Sequence, residues 1–147
     1  MADSVNGATA EQAAVVAETR IGGYATSLRF AAPHDAHLLS ADQPADADGG
    51  TGEGPNPFSY LFAALASCTG MTVRSYAARK EMGLERVEVS IRPHRPEGKK
   101  VESIEIGLRF EGDLSEDDRK KLVSAAASCP VRKLLESGVS IEEREVS

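Results

Sequence analysis

Two cysteines, Cys68 and Cys129, are the residues in this sequence best suited to chemistry. A cysteine thiolate is a nucleophile, and its sulfur can be oxidised in reversible steps. The two stand too far apart in the chain to form a CxxC redox motif. A zinc site would need about four ligands. Only His34, His37 and His94 are available to join the cysteines, and none is spaced against one in a ligand pattern. Neither a metal nor a bound cofactor is therefore expected. Residues 49–54 (GGTGEG) have the glycines of a phosphate loop. No Lys-Ser/Thr follows them and no strong strand precedes them, so they read as a flexible approach to the next element. No nucleophile elbow or His/Asp pair points to a hydrolase.

The surroundings of the two thiols differ. Cys68 lies among Leu65, Ser67, Thr69 and Thr72 in a long apolar run. Its plain reading is buried filler, because free cysteine packs like a small hydrophobe. Cys129 directly precedes Pro130 at the start of a helix-forming segment. Unpaired backbone N–H groups and the helix dipole at such an end favour a thiolate. Its plain reading is a small residue under a helix start. The residues alone leave both readings open at both positions.

The elements that must position these thiols follow from periodicity. Residues 13–20 and 24–30 read as two strands joined at Gly22-Gly23, with Leu38-Leu39 as a short third strand. Residues 41–55 form a loop rich in Gly, Pro and Asp. Asn56 and Pro57 then open a long helix as N-cap and first residue. Phe58, Leu61, Phe62, Leu65, Cys68, Met71, Thr72, Val73 and Tyr76 make that helix apolar on nearly every side, the pattern of a buried central helix that ends near Gly83. Val87, Val89 and Ile91, then Ile104, Ile106, Leu108 and Phe110, alternate with polar residues. They mark an antiparallel pair with one wet face, joined by a hairpin loop over residues 93–100. Ser115 caps a helix with three acids in its first turn. Pro130 opens a short helix closed by Gly138, and Val139, Ile141 and Glu143 indicate a last strand. This order is that of an α+β domain. Residues 1–11 read as a flexible tail and residues 12–147 as a single domain.

The totals narrow the function. With 17 Lys and Arg against 23 Asp and Glu, the formal charge is −6. Phosphate backbones require a basic face, so no nucleic-acid partner is expected. No run approaches the roughly 20 apolar residues of a membrane helix, and the acidic start MADSVNGATAEQ lacks the features of a secretory signal. A cytoplasmic location is expected, where thiols stay reduced.

Two stretches carry a resemblance. Residues 54–77 (GPNPFSYLFAALASCTGMTVRSYA) resemble the signature helix of the OsmC/Ohr family, and residues 129–135 (CPVRKLL) resemble its second cysteine block. The likeness spans about residues 13–145, closer to the broad OsmC-like group than to the Ohr branch. It implies an α+β, OsmC-like fold in which a long central helix packs against antiparallel sheets, in an intertwined homodimer with sites at the interface. It further implies thiol peroxidase activity on organic hydroperoxides. Cys68 would be the peroxidatic residue and Cys129 the resolving one, with a dithiol or small thiol as reductant. A family Arg from the early strands, here Arg20 or Arg29, would support the thiolate. The family's Glu in the first turn of the signature helix is missing, since Phe58 and Ser59 stand there and Glu53 lies upstream. That departure gives an alternative: a non-catalytic member that binds a small apolar ligand, or senses oxidants, at the dimer interface.

Overall fold

A computed structural model describes residues 14–19 and 22–146. The expected tail therefore lies outside the described residues. The chain divides into two units: the residues up to Tyr60 with those from Ile141 on, and Leu61–Ser140.

The first unit holds an antiparallel sheet of β1 (Val15–Thr19), β2 (Thr26–Phe30) and β3 (Leu38–Ala41), in that order. The glycine pair does not make a two-residue turn. Thr19 pairs with Thr26, so the connection runs over residues 20–25. Nor is the segment after β3 a loose approach. Asp42 is almost wholly covered. Its Oδ2 accepts from the Thr51 hydroxyl (2.5 Å) and from the Thr51 and Glu53 amides (3.1 and 3.2 Å), while Oδ1 accepts from the Gln43 amide (2.7 Å). The Thr51 hydroxyl foremost, helped by these amides, holds the carboxyl below its usual range against the opposing effect of burial. A glycine-rich segment is thus pinned by one carboxylate.

Helix α1 (Pro57–Arg79) begins as the sequence predicts, with the Ser59 amide donating to Asn56 Oδ1 at 2.9 Å. It ends differently. The left-handed residue is Glu81 (φ 53°), not Gly83. Met82 N–H bonds to Ala77 O (3.0 Å) and Glu81 N–H to Ala78 O (3.2 Å), the paired bonds of a Schellman motif. Gly83 already belongs to β4, where a Cβ would lie 2.6 Å from the Asp113 carbonyl oxygen. It is there for close approach, not for a helix stop.

The second unit is built on the hairpin of β4 (Gly83–His94) and β5 (Ser103–Asp113), with Val87 opposite Phe110 and Val89 opposite Leu108. Both strands exceed the alternating cores that identify them, and Pro93 and His94 belong to β4 rather than to the loop. Ser115 caps α2 (Glu116–Ala126) in a reciprocal capping box with Asp118. Helix α3 (Pro130–Ser137) closes at Gly138 (φ 75°), whose N–H bonds to Leu134 O at 2.8 Å. The core joins Val73 and Ala77 of α1, Leu84 and Phe110 of the hairpin, and Leu122 and Ala126 of α2.

One further expectation fails. Residues 138–146 form no strand, and Ile141 is 76% exposed. An alternating pattern yields a strand only where a sheet edge pairs with it. Helix α1 is covered by one chain on one side. It buries the single stripe Leu65, Thr69, Val73 and Ala77, whereas Met71 is 71% exposed and Phe58 48%. One chain supplies a hairpin and α2 to pack on, which is enough for one face. The architecture is α+β with antiparallel sheets, as expected. Among the described residues, no helix is long and apolar enough to cross a membrane.

Candidate functional site

The buried stripe of α1 leads to the cysteines. Helix residues with hydroxyl groups can satisfy them on the preceding turn. Ser67 donates to Ala64 O (3.1 Å), Thr69 to Leu65 O (2.8 Å) and Thr72 to Cys68 O (2.8 Å). Thr69 is thereby buried completely. Cys68 lies beside it, half-buried.

Cys129 arrives from the other side. The end of α2 tightens into successive i−3 bonds, of which the last runs from Cys129 N–H to Ala126 O at 3.2 Å. Ala126 is anchored in the core. Cys129 is then the N-cap of α3, fully enclosed, with Pro130 in the first helical position. The chain thus runs from a core anchor into a helix start, and the thiol sits where α3 begins.

There the two cysteines meet. Their side chains are within hydrogen-bonding reach, and both are free thiols. The strongest single influence on Cys129 is burial, which pushes its thiol up. Donors outweigh it: the Arg132 amide, the Cys68 thiol, the Thr69 hydroxyl and the Val131 amide together bring Cys129 below its ordinary value. The thiol makes no full capping hydrogen bond. The Val131 and Arg132 amides, at the second and third helical positions, are nevertheless aimed at it, as helix-start amides are. The setting favours a thiolate without a cationic side chain among these donors.

A cleft of about 490 Å³ lies between α3 and β5, lined by Leu65, Ser103, Ile104, Arg132, Leu135 and Glu136 among others, and neither cysteine lines it. Its one guanidinium, Arg132, is held by Glu136 at 2.9 Å. Among the described residues, no three His, Cys, Asp or Glu side chains gather closely enough to hold a metal ion.

Arg29 is on β2, 3.9 Å from Glu18 of β1. Arg20 lies outside the described residues. Phe58 and Ser59 occupy the first turn of α1, where no acid stands. Thr69 and Arg132 are not singled out by residue type alone. Two signals were present: Thr69 falls four residues after Leu65 on the buried stripe, and Arg132 supplies the third-position amide of the helix that Cys129 caps.

The model of the OsmC-like protein family matches residues 50–144, which is more than half of the chain and includes both cysteines. The chain belongs to the OsmC-like family. Solved structures agree on the fold. An osmotic stress and detoxification response protein from Psychrobacter arcticus superposes with a TM-score of 0.68 at 23% identity, over 82% of this chain and 86% of its own. An OsmC-like protein from Mycoplasma pneumoniae gives 0.68 at 17% identity, over 83% and 85%. The organic hydroperoxide resistance protein OhrB of Bacillus subtilis gives 0.52 at 24% identity, over 81% and 86%. No curated protein sequence matches the chain.

Proposed function

We propose that the chain is a thiol-dependent hydroperoxide reductase in which Cys68 and Cys129 act as one redox pair. The observation that carries this reading is the meeting of the two thiols at the start of α3, with Cys129 held below the ordinary cysteine range. The OsmC-like membership and the hydroperoxide resistance protein among its structural neighbours support the choice of substrate.

The division of labour follows from access. Cys68 is half-buried and Cys129 has no exposed surface, so peroxide meets Cys68. The Cys129 thiolate takes the Cys68 proton. The Cys68 thiolate then attacks the terminal oxygen of ROOH; the O–O bond breaks, Cys68 becomes a sulfenic acid, and the alkoxide takes a proton from Cys129 to leave as ROH. Cys129, again a thiolate, attacks the Cys68 sulfur. The S–S bond forms, and the departing hydroxide is protonated to water. A dithiol such as a lipoyl group, or a small thiol, returns both residues to thiols and is itself oxidised. In this reading Arg20 and Arg29 are the candidate cations for the Cys68 thiolate, and Cys129 takes over part of the support that the missing first-turn carboxylate would organise.

The same reading makes the protein a homodimer. Phe58, Leu61 and Met71 on α1 and Leu134 and Leu135 on α3 are large apolar side chains left exposed by one chain. Sedimentation at micromolar concentration checks this, and a stable species of the 15.6 kDa chain mass contradicts it. The free thiols fit a reducing cytoplasmic setting. The activity is tested by steady-state kinetics with cumene hydroperoxide and a dithiol. Wild type turns over and Cys68→Ser does not; equal rates overturn the proposal. A second reading, an OsmC-like protein that binds a small apolar ligand, is favoured by Phe58 in place of an acid. It predicts no turnover, with apolar ligands raising the melting temperature.

A further inference from the structure

Thr72, Tyr76 and Arg79 follow one another on α1, and Lys121, Ser124 and Ser128 on α2 and the turn after it. Spacings of three and four residues put each set on one side of its helix. The two sets line a single cleft of about 280 Å³. Neighbouring residues of both helices, Val73 and Ala77 on one and Leu122 and Ala126 on the other, belong to the core, so packing fixes the cleft's walls. Most of the donors in the cleft are free. The Thr72 hydroxyl goes to Cys68 O at 2.8 Å, and Lys121 is paired with Asp117 at 2.6 Å but has three protons to place. The hydroxyls of Tyr76, Ser124 and Ser128 make no hydrogen bond among the described residues. Arg79 stands apart from other arginines of the chain. Arg29, Arg86, Arg92, Arg109 and Arg132 lie against carboxylates, and Arg74 and Arg119 donate to carbonyl oxygens. Among the described residues Arg79 has neither kind of partner. In a chain of formal charge −6, a cation without an acid beside it is conspicuous.

We propose that the cleft between α1 and α2 binds a tetrahedral oxyanion of the phosphate class, held by Arg79 and Lys121 with Tyr76, Ser124 and Ser128 as hydroxyl donors. A guanidinium offers parallel N–H groups that match two oxygens of one phosphate, and an ammonium adds a point charge. The hydroxyls supply neutral donors around the same group. Asp117 offsets one of the two positive charges. The cleft therefore selects by hydrogen-bond acceptors as well as by charge, which favours an oxyanion over a simple halide. A phosphate group does not fill the cleft, so free phosphate and a small phosphomonoester share the required chemistry. The site is independent of the cysteine chemistry, although Thr72 touches the Cys68 carbonyl and Ser128 precedes Cys129.

The test uses the full chain with both cysteines reduced. Inorganic phosphate is titrated into isotope-labelled protein at constant ionic strength, with sodium chloride making up the difference, and two-dimensional NMR follows the amides. Saturable shifts are expected at Arg79, Ser124 and Ser128, and chloride alone is expected to produce none. Arg79→Gln should weaken phosphate binding by about tenfold, the loss of one charge-assisted hydrogen bond. Replacing Ser124 and Ser128 together by Ala should weaken it less. Arg92→Gln alters a paired arginine on β4 and should leave it unchanged. If Arg79→Gln does not fold, the shift map of the parent and the serine variant still decide. Glycerol phosphate distinguishes the two sources of the ligand: tighter binding than phosphate assigns the cleft to a phosphomonoester, and equal or weaker binding assigns it to free phosphate. Shifts that rise without saturating, saturable shifts confined to other parts of the chain, or an Arg79→Gln titration superimposed on the parent overturn the proposal.

Discussion

Cys68 sits in the middle of a helix of 23 residues, and Cys129 sits at the beginning of one of eight. The same side chain meets opposite conditions in the two places. In mid-helix every nearby amide is already bonded to the preceding turn, so the backbone has nothing to offer a thiolate. At a helix start the first amides are free and point outward. Cys129 therefore gains two backbone donors and a lowered pKa, but it pays in access, for no part of it reaches the surface. Cys68 keeps partial access. Readiness to ionise and contact with an outside molecule are thus split between two residues, and each becomes useful through contact with the other.

The largest effect expected from breaking this comparison is at Cys68. Cys68→Ser is predicted to reduce peroxide consumption to the uncatalysed rate in a coupled assay, because the enclosed Cys129 does not replace it. Cys129→Ser is milder and more informative. It slows the first oxidation, because the base is lost, and then stalls, and dimedone labels a sulfenic acid at Cys68. Labelling that requires Cys129 instead would reverse the roles. Next comes pH. A lowered Cys129 value means the thiolate persists to lower pH than in an ordinary cysteine, and protonation removes it as pH falls through that lowered value. The rate of disulfide closure, measured by rapid quench, should have its rising limb at a pH below the ordinary thiol range; a limb at the ordinary value contradicts the helix-start account. The smallest effect is a control. Ser115→Ala removes the cap of α2 and should cost about 1 kcal/mol in denaturant melts. It should leave the Cys129 titration in place, because the relevant amides belong to α3.

What was legible in the sequence was local. Ser115 with Asp118, Asn56 with Pro57, and Cys129 with Pro130 each mark a helix start from a few adjacent residues, and each stands where expected. The alternation through Val87–Ile91 and Ile104–Phe110 likewise yields β4 and β5. What was not legible depends on distant partners. Ile141 alternates with polar neighbours but finds no strand to join. The apolar circumference of α1 does not say how much of it one chain covers. The Gly-rich segment looked loose because Asp42, which pins it from up to 11 residues away, resembles any other acid in a loop.

The central claim is that Cys68 and Cys129 are one redox site, and peptide mapping by mass spectrometry after one equivalent of cumene hydroperoxide tests it most directly. The account predicts a Cys68–Cys129 disulfide within one chain, with both residues protected from alkylation until a dithiol is added. Recovery of both cysteines as freely alkylated thiols, or Cys68 oxidised to a sulfonic acid beside a free Cys129, would contradict it.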